Sequence, residues 1–415
     1  MNSNWKKNIS LFLLGQFISL FGSMLVQYAI IWHITLSTES GIMLTISILC
    51  GFIPGFLIAP FAGVWADRFN KKHLIIIADA LIAVSTLILA IIMLSGYNEL
   101  YLLFIISGIR SLGSGIQSPS IQSYLPILVP TEKLTRINSI NSSFQSLIVL
   151  FSPILSGVLL GVAQIGHIFF IDVITAAIAI LILVLLVKDN YVKKVRENSK
   201  LEYFTDLKSG LNYIGKNKFL KTYFIFCAIF LIFVAPVSFL TQLQITRNYG
   251  ESVRNLTLLE VTFSGGMMLG SIIVGAWGGF KNRMISMTIS NVFIAIAVIS
   301  LGIVDYLWVY LAFMTLIGLV LPLFNIPATV LLQEAIDFEY MGRVFSIYGM
   351  IASIMMPIGM LVFGPLADQI SIETILIISG TVLLVISICM MLNKTMIKAG
   401  IPTKKEEVKT NEGVL

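Results

Sequence analysis

Charge is scarce in this sequence. Only 12% of its 415 residues are Asp, Glu, Lys or Arg, while 57% are hydrophobic. A soluble domain carries about 25% charged residues, so a water-soluble globule is excluded, and a mean hydropathy of +0.94 agrees. Cysteine and histidine are nearly absent, with three of each. Cys50, Cys227 and Cys389 fall in different apolar runs, and His33, His73 and His167 stand apart near run ends. That scatter excludes a disulfide framework and a metal site. No His–Asp, Ser–His or metal-ligand cluster occurs in any polar stretch, so neither an enzyme nor a cofactor is expected. Gly210-Leu-Asn-Tyr-Ile-Gly215-Lys216 imitates a phosphate-binding loop. Asn217 replaces the hydroxyl residue that would hold magnesium, and no strand precedes it. Without ATP, the remaining energy sources are an ion gradient or the substrate's own gradient.

What the sequence has instead is long apolar runs. A bilayer crossing needs about 20 apolar residues, and twelve runs qualify, at about 9–33, 41–66, 73–95, 99–122, 137–162, 166–187, 219–243, 257–279, 284–303, 307–332, 343–367 and 372–393. The fold expected is all-α and polytopic. The first run is full length and reads as a retained span rather than a cleaved signal. One side collects Lys6, Lys7, Arg68, Lys71, Lys72, Lys133, Arg136, Lys281, Arg283, Arg343, the 188–221 linker and the tail, against Arg247 and Arg254 on the other. The positive-inside rule then puts both termini in the cytoplasm. The net charge of +6 sits in these loops and tails, so it is no sign of nucleic-acid binding.

The chain divides into a six-span half (1–187), a linker (188–218), a second six-span half (219–393) and a tail (394–415). Within the linker, 188–200 is polar, whereas Leu201, Phe204, Leu207, Leu211 and Ile214 recur at helical spacing. That pattern predicts an amphipathic helix on the membrane surface. The two halves read as copies. Leu134-Thr-Arg136-Ile-Asn-Ser139 returns as Met341-Gly-Arg343-Val-Phe-Ser346, and Pro153 in span five returns as Pro357 in span eleven.

The densest charge lies between spans two and three, in Gly63-Val-Trp-Ala-Asp67-Arg68-Phe-Asn-Lys71-Lys72. Asp67 follows a helix C-terminus and Lys71 and Lys72 open the next helix, each at the end its macrodipole disfavours. Such charges look for partners elsewhere, so the loop is a candidate latch closing against a neighbouring helix end; the plainer role for its basic residues is cytoplasmic retention. A weaker copy follows span eight, Gly275-Ala-Trp-Gly-Gly279-Phe-Lys281-Asn-Arg283, with Gly279 at the acidic position.

Inside the spans, Arg110 is the outstanding charge. An arginine at a helix centre costs about 2.5–3.5 kcal/mol on insertion scales, so it must be paired or face water. It is either functional or a tether to a backbone carbonyl. The embedded acids are Asp79, Asp172 and Glu260. Gln16, Gln27, Gln117, Gln145 and Asn325 can bond a ligand in a cavity, or simply a neighbouring helix. In span five, Pro153 removes a helical hydrogen bond and Gly157 admits close packing, which makes a hinge. Phe224, Phe230, Phe233, Phe313, Met314, Met350, Met355 and Met356 form an adaptable apolar series, as lipid-facing filler also would.

The Gly-x-x-x-Asp-Arg-x-x-Lys-Lys loop resembles the signature of the major facilitator superfamily of secondary transporters. Over nearly its whole length the chain is similar to the macrolide efflux, drug–proton antiporter branch. That likeness rests on Ile77-Ala78-Asp79, Ile109-Arg110-Ser111-Leu112-Gly113, Leu128-Val129-Pro130, Phe170-Ile171-Asp172-Val173, Gly342-Arg343-Val344-Phe345-Ser346 and Met356-Pro357-Ile358-Gly359. Phe151-Ser152-Pro153-Ile154-Leu155-Ser156-Gly157 resembles that branch's Gly-Pro-x-x-Gly-Gly signature, with serines in two glycine positions. The resemblance implies two six-helix repeats around a midplane substrate site and a multi-pass protein, expected as a monomer, in a bacterial cytoplasmic membrane. It also implies proton-coupled export of amphiphilic small molecules such as macrolides, with Arg110 tied to proton coupling. In this fold spans three and six are usually peripheral and span eight borders the cavity, which favours Glu260 as proton carrier over Asp79 and Asp172. A siderophore or lipid exporter is the alternative within the fold, and a non-transporting scaffold the alternative outside it. Against a scaffold stands the cost of embedding an arginine and three acids.

Overall fold

The computed structural model describes residues 5–130, 133–187 and 203–401. The polar stretch 188–200, Leu201 and the tail from 402 onward lie outside these residues, as do the side chains of Asp67 and Phe204. Twelve helices are long and apolar enough to cross a bilayer: Trp5–Thr38, Gly41–Ala66, Lys71–Leu94, Leu100–Leu128, Arg136–Val162, Ile165–Leu186, Lys218–Tyr249, Val253–Trp277, Arg283–Leu301, Leu307–Ala335, Met341–Leu366 and Ile372–Leu392. They are spans one to twelve. No strand occurs among the described residues. Span seven outruns its apolar stretch, and its last turn is held by partners on other elements: Arg247 and Asn248 are both bonded.

Span two is broken. It runs as Gly41–Cys50 and Ile53–Arg68, because Pro54 cannot continue the hydrogen-bond ladder of the first segment. The freed backbone is used by span four, where Ser111 Oγ accepts from Gly55 N at 2.9 Å. Gly115 rests against the Gly55 backbone, where a Cβ would come within 2.5 Å of the Gly55 carbonyl oxygen. Spans eight and ten meet in the same way through Gly266, Gly270 and Gly318. Without a hydrophobic drive in lipid, close backbone approach of this kind is what holds neighbouring spans.

The apolar core differs between the halves. In the C-terminal half it is one continuous cluster. In the N-terminal half it is two clusters, one around Leu25, Ile30, Leu89 and Phe169 and one around Phe12, Ile75, Tyr124 and Leu183. The layer separating them is polar.

Basic residues mark one end of the bundle; every lysine among the described residues lies there, and the opposite end is lysine-free. Among the described residues, the two halves hydrogen-bond to each other at the lysine-free end. Asp368 accepts from Gly41 N at 2.7 Å, Ile42 N at 3.0 Å and Ser40 Oγ at 2.8 Å, capping span two. Arg247 bridges Asp368 Oδ1 (2.8 Å), the Ala367 carbonyl (2.7 Å) and the carbonyl of Glu39. Gly41 and Gly364 bring spans two and eleven into backbone contact, and Gly157 faces Thr257 across spans five and eight. At the basic end, exposed polar residues face the space between the halves: Ser114, Ser118 and Gln122 on span four, and Asn325, Thr329 and Gln333 on span ten. Their spacing of four puts each trio on one stripe, and polar stripes of this sort are not lipid-facing. The bundle is closed at the lysine-free end and cleft at the basic end.

The linker helix runs Tyr203–Lys216. Its apolar side is not free for the membrane throughout. Ile214 is buried, Gly210 packs on Arg343 and Ile347, and Tyr213 stacks on Tyr340 at 4.4 Å while donating to Asp337 Oδ2 at 3.0 Å. The expected surface helix is therefore docked on the base of span eleven, with Leu211 left exposed.

Burial alone would raise the Asp368 carboxyl, but the Ile42 and Gly41 amides, the Ser40 hydroxyl and Arg247 together hold it below its ordinary value of 3.8. A depressed carboxyl contributes above its ordinary pKa, and that contribution is lost only as pH falls through the lowered value. The closed end should therefore be indifferent to pH between about 5 and 8. Arg247→Ala, by contrast, should loosen it by about 1–2 kcal/mol, a factor of about 5–30 in population. Spin labels at Tyr97 and Tyr306 would report this as a longer-distance population in the variant; an unchanged distribution would refute it.

Candidate functional site

Span one presents Gln16, Ser19, Ser23 and Gln27 at spacings of three and four, hence on one face. This face meets spans three, four and six in the polar layer of the N-terminal half, which has two stations. In the first, Asp79 Oδ1 accepts from Ser19 Oγ at 2.7 Å and from Gln117 Nε2 at 2.6 Å. In the second, Arg110 forms an ion pair with Asp172 and bonds to Thr86, and its Nη2 donates to the Ser23 carbonyl at 3.0 Å. Asp172 also accepts from Ser23 Oγ at 2.7 Å and from Thr86 Oγ1 at 3.1 Å. Asp79 and Thr86 lie seven residues apart on span three, as do Arg110 and Gln117 on span four, so the stations are two turns apart. Arg110 is 4% exposed, Asp172 0% and Asp79 1%.

Two cavities face the space between the halves. One, of about 350 Å³, is bounded by Ser23, Gln27, Arg110, Ser114, Gln145 and Ile48. The other, of about 370 Å³, is bounded by Phe230, Phe263, Met314, Met356, Glu260 and Asn325, with Ile317 in its wall. Glu260 Oε1 accepts from Gln242 Nε2 at 3.0 Å. The cavities occupy repeat-related places. Span four and span ten are both 29 residues long, which sets Arg110 in register with Ile317. Counting from the first residues of spans two and eight sets Ile48 in register with Glu260. Each cavity thus carries one charged residue where its partner carries isoleucine: a guanidinium in the N-terminal half, a carboxyl in the other.

Of the expected site residues, Arg110 and Glu260 reach these cavities, as do Gln27, Gln145 and Asn325. Gln16 and Gln117 do not: both are at most 3% exposed, turned into the polar layer. Asp172 is the partner of Arg110, an assignment open to charge counting because a buried guanidinium must be neutralised. Ser19, Ser23, Thr86 and Gln242 were invisible as site residues, since a lone hydroxyl or amide in a span carries no signal of its own. From the apolar series, Phe230, Met314 and Met356 line the larger cavity, whereas Phe224 is packed in the core.

The loop between spans two and three is anchored by Asn70, which accepts from Lys72 N at 2.9 Å and caps span three. Lys72 Nζ donates to the Val187 carbonyl at 2.8 Å, a cation on the C-terminus of span six, where the dipole favours it. Lys71 is half-buried, Arg68 is exposed, and the surroundings of Gly63 are open. In the second copy, Gly278 and Gly279 take φ of +79° and +75°, which explains a glycine at the former acidic position. There the tie is Arg283 to Glu334, bidentate at 2.9 and 2.5 Å. Pro153 lies inside span five, and Gly157, one turn on, sits against Thr257.

Twelve spans in two related halves about a central cleft, with a charged loop between spans two and three, match a known sequence pattern: that of the Major Facilitator Superfamily fits residues 12–360. The chain belongs to this superfamily. It is 29% identical over 395 residues to macrolide efflux protein A of Streptococcus pyogenes, covering 94% of this chain and 97% of that one. A protein of the same name from Enterococcus faecalis is 28% identical over 323 residues, 77% of this chain and 99% of its own. Among solved structures, a POT family transporter in complex with 5-aminolevulinic acid superposes with a TM-score of 0.72 at 12% identity, covering 93% and 95% of the two chains. The protein is thus a multi-pass membrane transporter of the major facilitator fold, and its relatives are transporters rather than enzymes.

Proposed function

We propose that this transporter is a secondary active exporter, exchanging protons for amphiphilic cationic drugs of the macrolide kind. The observation that carries this reading is the larger cavity, apolar and methionine-lined with a single carboxyl, Glu260, in its wall. A macrolide is a broad apolar ring bearing an amine, and such walls adapt to bulky ligands. The likeness to macrolide efflux proteins supports the same substrate class.

With the basic end in the cytoplasm, the form described is closed outside and cleft towards the cytoplasm, the state in which an exporter loads. Burial favours the neutral form of a carboxyl and an approaching cation favours the charged form. A cationic drug arriving beside Glu260 therefore displaces its proton to the cytoplasm, and the emptied carboxyl is recharged from outside. Residues 1–187 and 219–393 rock as two bodies, joined by 188–218 and followed by the tail 394–415. As they close at the basic end, the loop of Gly63, Asp67, Arg68, Lys71 and Lys72 latches onto a neighbouring helix end, and Pro153 with Gly157 is the hinge of span five. The working unit is a monomer.

The test is transport of erythromycin into everted vesicles with an imposed pH gradient, run beside a panel that includes an iron-free siderophore. Accumulation of erythromycin that collapses with the gradient is expected; gradient-independent accumulation, or transport of the siderophore alone, would sink the reading. Asp67→Asn should slow that accumulation severalfold at equal membrane abundance, because the latch is weakened while the spans stay apolar. Wild-type turnover in the variant would dispose of the latch.

A further inference from the structure

The buried charges of the N-terminal half do not balance. Arg110, the buried cation of that half, is committed to Asp172. Asp79 is 1% exposed, and the partners resolved for it, Ser19 and Gln117, are neutral and both donate to the same oxygen. Its Oδ2 is buried with no hydrogen-bond partner. The groups around it are Ser19 from span one, with Gln16 one turn away on the same helix face, Gln117 from span four and, two turns away, the Arg110–Asp172 pair; the charge of Asp172 acts on it with the same sign. An ionised Asp79 would be an isolated anion in the bilayer core, which costs several kcal/mol on any scale.

A second orphan lies beside it. Gln16 is 3% exposed and its Oε1 is buried without a partner. It stands three residues before Ser19, on the face of span one that meets Asp79. Two acceptors without a donor, one turn apart, are satisfied together by a single proton. Carried on Asp79 Oδ2, it removes the charge and supplies the hydrogen that Gln16 Oε1 lacks. A sodium ion would need a fuller shell of oxygens than these two.

We infer that Asp79, with Gln16 as acceptor and Ser19 and Gln117 as supports, is a resident proton site of the N-terminal half, distinct from Glu260 in the other half. It is sealed from water in this state, so its proton exchanges only when the helices around it part. The O–H bond then breaks towards water, and Asp79 is left as the carboxylate that Ser19 and Gln117 already support. The assignment does not depend on which substrate is carried or on what drives transport.

Infrared spectroscopy of the full-length protein in lipid at neutral pH, without substrate, tests it. A protonated-carboxyl band is expected that moves to lower wavenumber when the protein is grown on aspartate labelled with carbon-13 in the side-chain carboxyl. That label separates it from Glu260 without any substitution. The band should be lost in Asp79→Asn and displaced in Gln16→Leu, where its acceptor is missing. No label-sensitive band, or one that survives Asp79→Asn, would mean that Asp79 is ionised and Gln16 turns its amide nitrogen towards it, which overturns the proposal. A band unmoved in Gln16→Leu would overturn the sharing of the proton.

Discussion

Arg110→Ala is expected to abolish both uphill and downhill transport and to lower the amount of folded protein. Asp172 is 0% exposed, and the substitution strands its carboxylate with only the Ser23 and Thr86 hydroxyls as donors. Breaking a buried pair by removing one partner costs about 3–5 kcal/mol. Arg110→Lys should not rescue, because an ammonium cannot reach Asp172, Thr86 and the Ser23 carbonyl together as the planar fork does. The double variant Arg110→Ala/Asp172→Asn separates structure from function. It removes both charges, so membrane abundance should return towards wild type, while transport stays absent because the cation bordering the N-terminal cavity is gone. Transport restored along with abundance would reduce Arg110 to a structural tie.

The second large effect is expected at Glu260. Glu260→Gln keeps the shape of the side chain and its bond to the Gln242 amide, so folding and substrate exchange down a gradient should survive. Accumulation driven by an imposed pH gradient should be lost, since the glutamine has no proton to exchange. A membrane potential adds about 2.3 kcal/mol per charge per 100 mV to proton entry, and the variant forfeits that drive as well. Full pH-driven accumulation of erythromycin by Glu260→Gln would remove this carboxyl from the coupling. Asp172 is then a poor replacement, because Arg110 already occupies it in an ion pair. Asp79 is the better one.

Twelve spans, two copies and a basic end were all legible in the sequence. A bilayer imposes the same local demand on every crossing, about 20 apolar residues, and lysines mark one end irrespective of what packs on what. Arg110 and Glu260 stood out in the sequence for a related reason, since a charge inside an apolar run is costly, and the structure sets each in the wall of a cavity. The glutamines show the limit of that argument. Gln27 and Gln145 border a cavity while Gln16 and Gln117, equally polar and equally embedded, are turned inward to Asp79 and its layer. Which way a residue faces depends on how its helix is rotated, and in lipid that rotation is set by packing contacts between spans.

Tertiary structure alone made the pairs. Arg110 and Asp172 are 62 residues apart, and Asp368 caps Gly41 and Ile42 from 327 and 326 residues away. No local pattern encodes such a bond, because each partner only has to be a charge or an amide near the right depth. Helix packing also decided that the polar layer splits the N-terminal core while the C-terminal core stays whole, although the two halves share one hydrophobic pattern. The crossings were determined by the amino-acid sequence alone, because the solvent around each helix is known in advance. The partners were determined only by the fold, because in lipid an embedded polar group can find them nowhere but on another helix.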